Sequence, residues 1–313
     1  MQLNKKSKIF IAGHNGMVGS SVLRHFKKKG YKNLILKNRK SLNLINQKET
    51  YSYFKKINPD FVIISAAKVG GISANSEQKA KFIYENIMIQ TNLIHASYLA
   101  GVKKLIFLGS SCIYPKYSKQ PIKEDYLMTG KLEETNESYA IAKLAGYKMC
   151  EAYNKQYRTN YICLMPTNLY GPNDNYDLKT SHFFPALIAK IDLAIKKKSK
   201  IIKIWGDGTP RRELMYVDDL AHACEFFLKK KTKHSLINIG SGEEKTILEY
   251  CNFILKKFKI KLKIKFEKTK PNGTPRKMLD LSLANKYGWK SKFNLNKGFE
   301  LTYRDYLKKI DRK

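Results

Sequence analysis

Short apolar runs alternate with amphipathic stretches along most of the chain. Lys8–Ala12, Asn33–Lys37, Phe61–Ile64, Lys104–Gly109 and Asn160–Met165 have the length and composition of strands. Phe61-Val62-Ile63-Ile64 has no polar face, the pattern of a strand covered on both sides. Between these runs, Val22, Leu23 and Phe26 follow a helical spacing. So do Asn46–Asn58, with Pro59 just past its end, and Phe82–Ala100. This alternation predicts an α/β chain built on a doubly wound parallel sheet. After Pro172 the pattern becomes irregular through Asn173, Asp174, Asn175 and Asp177. Helical stretches Phe183–Ile195 and Val217–Lys230 and strands Ile201–Trp205 and Leu236–Ile239 follow. The Val217–Lys230 helix and the Leu236–Ile239 strand are expected to rejoin the main sheet. Thr246–Phe258 and the Lys-rich stretch to Lys270 complete a smaller lobe. The predicted division is a nucleotide-binding domain over 1–172 plus about 215–241, and a smaller C-terminal substrate-binding lobe over about 173–214 plus 242–313.

The first strand runs into Gly13-His14-Asn15-Gly16-Met17-Val18-Gly19, and a helix follows. In that setting Gly13 permits a tight turn, Gly16 admits a pyrophosphate to the backbone, and Gly19 lets the helix pack on the strand. The free N–H groups at the helix start would hold the phosphates. The second strand ends in Lys37-Asn38-Arg39-Lys40 rather than in Asp or Glu. A carboxylate there would bind a ribose 2′-hydroxyl and repel a 2′-phosphate, whereas cations attract the phosphate. The segment predicts NADP(H), with Arg39 as the main contact.

Composition changes this picture little. The formal net charge is +34, from 60 Lys+Arg against 26 Asp+Glu. Such an excess suits nucleic acid or an anionic ligand. Here the cations are mostly Lys and are spread along the chain. Runs at 27–29, 196–198 and 229–231 fall at predicted helix ends, where they suit the helix dipole. Solvated Lys-rich faces are therefore expected, and no nucleic-acid partner. Five cysteines lack metal-ligand spacing, so no metal is expected, and reduced thiols point to a cytoplasmic protein. No apolar run reaches transmembrane length and residues 1–8 lack a signal-peptide core, so no membrane association is expected.

The candidate chemistry centres on Ser138-Tyr139-Ala140-Ile141-Ala142-Lys143. On a helix, Tyr139 and Lys143 share a face. An ammonium beside a phenol is expected to lower its pKa and make it a usable proton donor. Ser110 follows the Lys104–Gly109 strand, and ligands of such sheets bind beyond the carboxyl ends of the strands. Glycine turn, then Ser after a later strand, then Tyr-x-x-x-Lys is the arrangement of the extended short-chain dehydrogenase/reductases, a Rossmann-type superfamily.

Further segments resemble the GDP-L-fucose synthase family over nearly the whole chain. They are Ala67–Ile72 (AKVGGI), Leu108–Pro115 (LGSSCIYP), Met165–Pro172 (MPTNLYGP), Ser181-His182, Trp205–Glu213 (WGDGTPRRE) and Lys270–Lys277 (KPNGTPRK). The resemblance implies NADPH-dependent conversion of GDP-4-dehydro-6-deoxy-D-mannose to GDP-L-fucose, by 3,5-epimerisation and then 4-reduction in one site. It gives Ser110, Tyr139 and Lys143 to reduction, and Cys112 and His182 to epimerisation. A C4 ketone acidifies the hydrogens on C3 and C5. Thiol and imidazole, with ordinary pKa values of roughly 8.5 and 6.5, can each gain or lose a proton near neutral pH.

The resemblance also implies cofactor contacts along the glycine turn, at Leu108, Gly109, Ser110 and Ser111, at Lys143, along Pro166, Thr167, Asn168 and Leu169, and at His182. GDP-sugar contacts are implied at Lys190, Trp205, Arg212, Asn272 and Lys277, with Trp205 stacking on a base and Arg212 and Lys277 neutralising phosphates. Three positions depart from the family. Lys190 stands where Arg is frequent, Asn272 where Asp is expected, and Asn15 where some relatives carry Arg, which moves the emphasis to Arg39. A homodimer pairing through two helices, one carrying Tyr139, is the expected assembly. The rival readings are another nucleotide-sugar epimerase/reductase of the superfamily and, from another class, an NADP-sensing or nucleic-acid-binding protein.

Overall fold

The computed structural model describes residues 2–270 and 272–311, which leaves Pro271 of the Lys270–Lys277 segment outside the described residues. The first half alternates strands and helices: β1 (Ile9–Ala12), α1 (Met17–Lys28), β2 (Leu34–Ile35), α2 (Gln47–Ile57), β3 (Phe61–Ile64), α3 (Ile72–Glu77), α4 (Lys79–Leu99), β4 (Lys104–Leu108), α5 (Glu137–Tyr157) and β5 (Tyr161–Pro166). The second half adds β6 (Asn168–Tyr170), α6 (Phe183–Lys196), β7 (Ile201–Trp205), β8 (Arg211–Tyr216), α7 (Val217–Lys229), β9 (Leu236–Ile239), β10 (Glu244–Thr246), α8 (Ile247–Lys257), β11 (Lys263–Glu267), β12 (Arg276–Lys277), α9 (Ser282–Tyr287) and α10 (Leu295–Ile310).

The main sheet has the order β2-β1-β3-β4-β5-β9, and every pair is parallel. Its strands feed two cores. In β1, Ile9 and Ile11 face the layer holding Val22, Phe26, Phe227 and Trp289, while Phe10 and Ala12 face the layer holding Phe54, Leu93 and Tyr147. That two-sided burial is why the strands read as unbroken apolar runs. The chain winds outward from β1 to β2 and returns to β3 on the other side of β1. The reversal opens a crevice at the carboxyl ends of β1 and β3. As the sequence predicts, α7 and β9 return to this sheet, with β9 pairing with β5.

Helix ends follow local chemistry. The Asn46 side chain caps α2 by accepting from Glu49 N, and Asn58 closes that helix at φ 43°. Thr246 and Glu249 form a reciprocal capping box on α8. The Lys runs do sit where α1, α6 and α7 stop.

Two small sheets build the second lobe. β8 is the hub of one: β10 runs antiparallel to it, while β12 and β6 run parallel. β7 pairs with β11 in the other. Their shared core includes Tyr170, Phe184, Ile188, Tyr250, Phe299 and Tyr306. α3, α10 and the strands β8, β10 and β12 have no counterpart in the periodicity. Arg211-Arg212-Glu213 reads as a polar loop, yet the Glu213 side chain is fully buried. Its carboxylate accepts the N–H groups of Gly242 (2.8 Å) and Leu279 (3.1 Å). The first bond ties β8 to the loop after β9, and the second ties it to the segment after β12.

Candidate active site

The glycine turn opens at the end of β1, beside the crevice. Gly13 adopts φ +82°, and a Cβ there would lie 2.7 Å from the Ala66 backbone, so only glycine fits. The Gly16 N–H donates to Gly13 O at 3.1 Å and closes the turn. No side chain caps α1 and its first turn carries no acidic residue, so its free N–H groups face outward with no carboxylate to repel an anion. The ring Nδ1 of His14 is buried with no hydrogen-bond partner among the described residues. Together these suit a dinucleotide diphosphate.

Ser110 lies just past the end of β4 in extended backbone, and its Oγ accepts from Cys112 N at 3.3 Å. One helical turn, Ser111–Ile113, follows and carries Cys112. α5 packs across the same edge and brings Tyr139 and Lys143 with it. Tyr139 is half-buried and hydrogen-bonds with Ser110. Its pKa is raised, by burial first and then by the Cys112 charge, with the Ser110 bond opposing. This corrects the expectation that Lys143 lowers it. The ammonium donates instead to Leu108 O at 2.9 Å and lies 5.9 Å from the Tyr139 ring centroid. Tyr139 therefore holds its proton at neutral pH, the form a donor needs. Burial brings the Lys143 pKa down to about 8, so its charge persists through neutral pH with one protein acceptor filled and donors to spare.

Cys112 is the meeting point of three elements. Asn136 Nδ2 stands 3.6 Å from its sulfur and Lys277 Nζ 3.7 Å from it. Arg212 also feels the Cys112 charge. A negative charge forming on this sulfur would be met by cations at once. The sequence suggests a phosphate contact for Lys277, but its nearest recorded partner is the thiol. Asn136 escaped sequence reading because it occupies the N-cap of α5, where Asn ordinarily caps. Its side chain makes no cap bond, and its amide turns to Cys112. His182 is the N-cap of α6 and is exposed. Surrounding protein and the Lys277 charge hold its imidazole below the ordinary pKa, which favours the neutral ring.

Trp205, Lys190, Arg212 and Asn272 form a second group. Trp205 is half-buried, with the ammonium of Lys190 5.6 Å and that of Lys270 5.4 Å from its ring. Lys190 Nζ donates to Lys203 O at 3.1 Å, and burial lowers its pKa. Arg212 donates to Asn272 O at 3.4 Å, and burial brings its pKa down to about 10. Asn272 Oδ1 accepts from Asp207 N at 3.0 Å, so its amide clips the Gly206–Gly208 turn. Pro166 ends β5. Thr167 donates through its backbone to Ile239 O (3.0 Å) and through its hydroxyl to Glu213 O (3.1 Å), fixing the run into Asn168 and Leu169. Arg39 stands apart from the catalytic group. Its side chain is largely exposed beyond β2 and lies 3.6 Å from Glu85.

A parallel sheet with a glycine turn at its first strand and a Ser-Tyr-Lys set at its carboxyl edge defines a nucleotide-dependent oxidoreductase or epimerase. The chain belongs to the NAD dependent epimerase/dehydratase family, whose model matches residues 9–240, and within it to the GDP-L-fucose synthases. It is 48% identical to GDP-L-fucose synthase 1 of Arabidopsis thaliana, across 98% of this chain and 95% of that one. A solved GDP-mannoheptose C4 reductase from Campylobacter jejuni with NADP bound is similar at TM-score 0.88 and 37% identity, covering 97% of this chain and 99% of that one. A GDP-L-fucose synthetase from Naegleria fowleri bound to NADP is similar at TM-score 0.91 and 25% identity, covering 99% and 96%.

Proposed function

We propose that this enzyme converts GDP-4-dehydro-6-deoxy-D-mannose to GDP-L-fucose, as a 3,5-epimerase and NADPH-dependent 4-reductase. One observation carries the reading most: the Cys112 sulfur, flanked by Lys277 at 3.7 Å and Asn136 at 3.6 Å, stands beside the Ser110–Tyr139 pair. The thiol assigned to epimerisation thereby stands beside the reducing groups.

The C4 ketone of the substrate loosens the hydrogens on C3 and C5. Cys112 and His182 act as the acid–base pair, one removing a proton and the other returning one on the opposite face. The neutral imidazole favoured at His182 suits the proton-removing duty. Ser110 hydrogen-bonds the C4 oxygen as charge develops there, and Tyr139 gives that oxygen its proton. NADPH, when bound, supplies the hydride. Lys143 offers its spare N–H donors to the nicotinamide ribose and keeps positive charge behind Tyr139.

The glycine turn Gly13–Gly19 holds the diphosphate at the start of α1, and Leu108, Gly109, Ser111 and Pro166–Leu169 flank the nicotinamide half. His182 stands at the same end. Arg39, exposed beyond β2, takes the 2′-phosphate in competition with Glu85. Trp205 receives guanine, while Arg212, Lys190 and Asn272 hold the sugar diphosphate side. Lys277 divides its charge between substrate and thiol. The division into a nucleotide domain (1–172 plus about 215–241) and a substrate lobe (about 173–214 plus 242–313) follows the same roles.

The enzyme works as a homodimer, paired through α4 and α5, whose outer surfaces expose Tyr84, Leu99, Ile141 and Tyr157. It resides in the cytoplasm, where five free cysteines are stable. No helix among the described residues is long and apolar enough to cross a membrane. Purified protein given the 4-dehydro sugar is expected to oxidise NADPH in proportion to GDP-L-fucose formed, with higher catalytic efficiency for NADPH than for NADH. Preference for NADH would remove Arg39 from the cofactor site.

A further inference from the structure

The loop that delivers His182 is latched, backbone to backbone, onto the glycine pair before α3. Gly71 N donates to Thr180 O at 2.9 Å. A Cβ on Gly71 would lie 2.6 Å from Ser181 O and 3.3 Å from Thr180 O, both main-chain atoms that cannot rotate away. The Gly71 backbone is at φ −68°, a conformation any residue adopts, so the requirement is for space alone. Both partners are held from behind. Buried Asn75 donates to Gly70 O (2.7 Å) and Gly71 O (3.0 Å), and the Asn86 side chain clamps both Lys68 N and Lys68 O. On the His182 side, the Asp177 carboxylate accepts the N–H groups of Lys179 and Thr180 and the Thr180 hydroxyl, and Ser181 N donates to Asp177 O. The same platform reaches the reducing group: Phe82, which lies against Gly70, meets the Tyr139 ring edge-on at 6.5 Å.

We infer that Gly71 is a positioning residue for epimerisation, because the bare backbone there sets how closely His182 approaches the Cys112–Tyr139 side of the cavity. Any side chain at 71 pushes the Thr180–His182 segment outward. Reduction needs only Tyr139, Lys143 and Ser110, which are anchored on α5 and β4, so it loses less. The inference rests on the assignment of Cys112 and His182 to C3 and C5 inversion.

The test is the product ratio of Gly71→Ala. With NADPH and the 4-dehydro sugar, the ratio of C4-reduced sugar lacking full C3/C5 inversion to GDP-L-fucose should rise by about 100-fold over wild type. The variant should keep the wild-type fold by circular dichroism at the assay temperature. A merely structural glycine would depress both products together and leave the ratio unmoved, which overturns the inference. Asp177→Ala, at an exposed site, carries the same test should the Gly71 variant fail to fold. Losing the turn bonds should raise the ratio by about fivefold, and an unchanged ratio overturns the inference equally. Wild-type enzyme that makes no GDP-L-fucose while reducing C4 would instead defeat the epimerase assignment, and the inference with it.

Discussion

A Tyr139→Phe enzyme is expected to lose about 10²–10⁴-fold in NADPH-dependent turnover while keeping its fold and its cofactor affinity. The ring is half-buried, meets Phe82 edge-on, and uses its hydroxyl on Ser110. Phenylalanine preserves the packing and deletes only that hydroxyl. The loss is large because burial keeps the phenol protonated, the form a donor needs, and the Lys143 ammonium is taken up by Leu108 O. Initial rates of NADPH oxidation, NADPH fluorescence titration and a melting curve make the comparison. Turnover equal to wild type would remove Tyr139 from the mechanism.

Cys112→Ser is expected to slow epimerisation to a similar degree, by about 10²–10⁴-fold, and to leave NADPH binding intact. A serine hydroxyl is far less acidic than a thiol. It would leave Lys277 and Asn136 facing a group that does not ionise near neutral pH. The glycine turn lies on β1 and α1, away from the substitution, so the cofactor should bind as before. Product analysis after long incubation should give C4-reduced sugar that retains the starting C3 and C5 configuration. GDP-L-fucose formed at the wild-type rate would rule out the thiol as acid or base.

The main sheet was legible because its strands are buried on both faces. Burial forces unbroken apolar runs such as Phe61–Ile64, and the glycine turn marks where the first one ends. The second lobe was not. Its hub, β8, begins Arg211-Arg212-Glu213 and gains its order from partners distant in the chain: β10, β12 and the N–H groups that Glu213 accepts. Periodicity within a short window carries no trace of such partners. The catalytic residues were readable from motif order, but their electrostatics were not. Sequence spacing puts Lys143 beside Tyr139 on α5, yet the carbonyl that captures its ammonium belongs to β4. In the same way Asn136 carries no signal in the sequence, and Lys277 reads as a phosphate clamp. Only the fold brings both within 4 Å of the Cys112 sulfur.

The account holds that one cavity both exchanges protons beside a ketone and reduces it. Turnover in D2O with unlabelled NADPH, followed by NMR of the purified product, examines both acts in one molecule. The account predicts GDP-L-fucose carrying solvent deuterium at C3 and C5 and protium at C4. A product reduced at C4 with protium kept at both C3 and C5 would contradict it, leaving a C4 reductase whose Cys112 and His182 have no part in the chemistry.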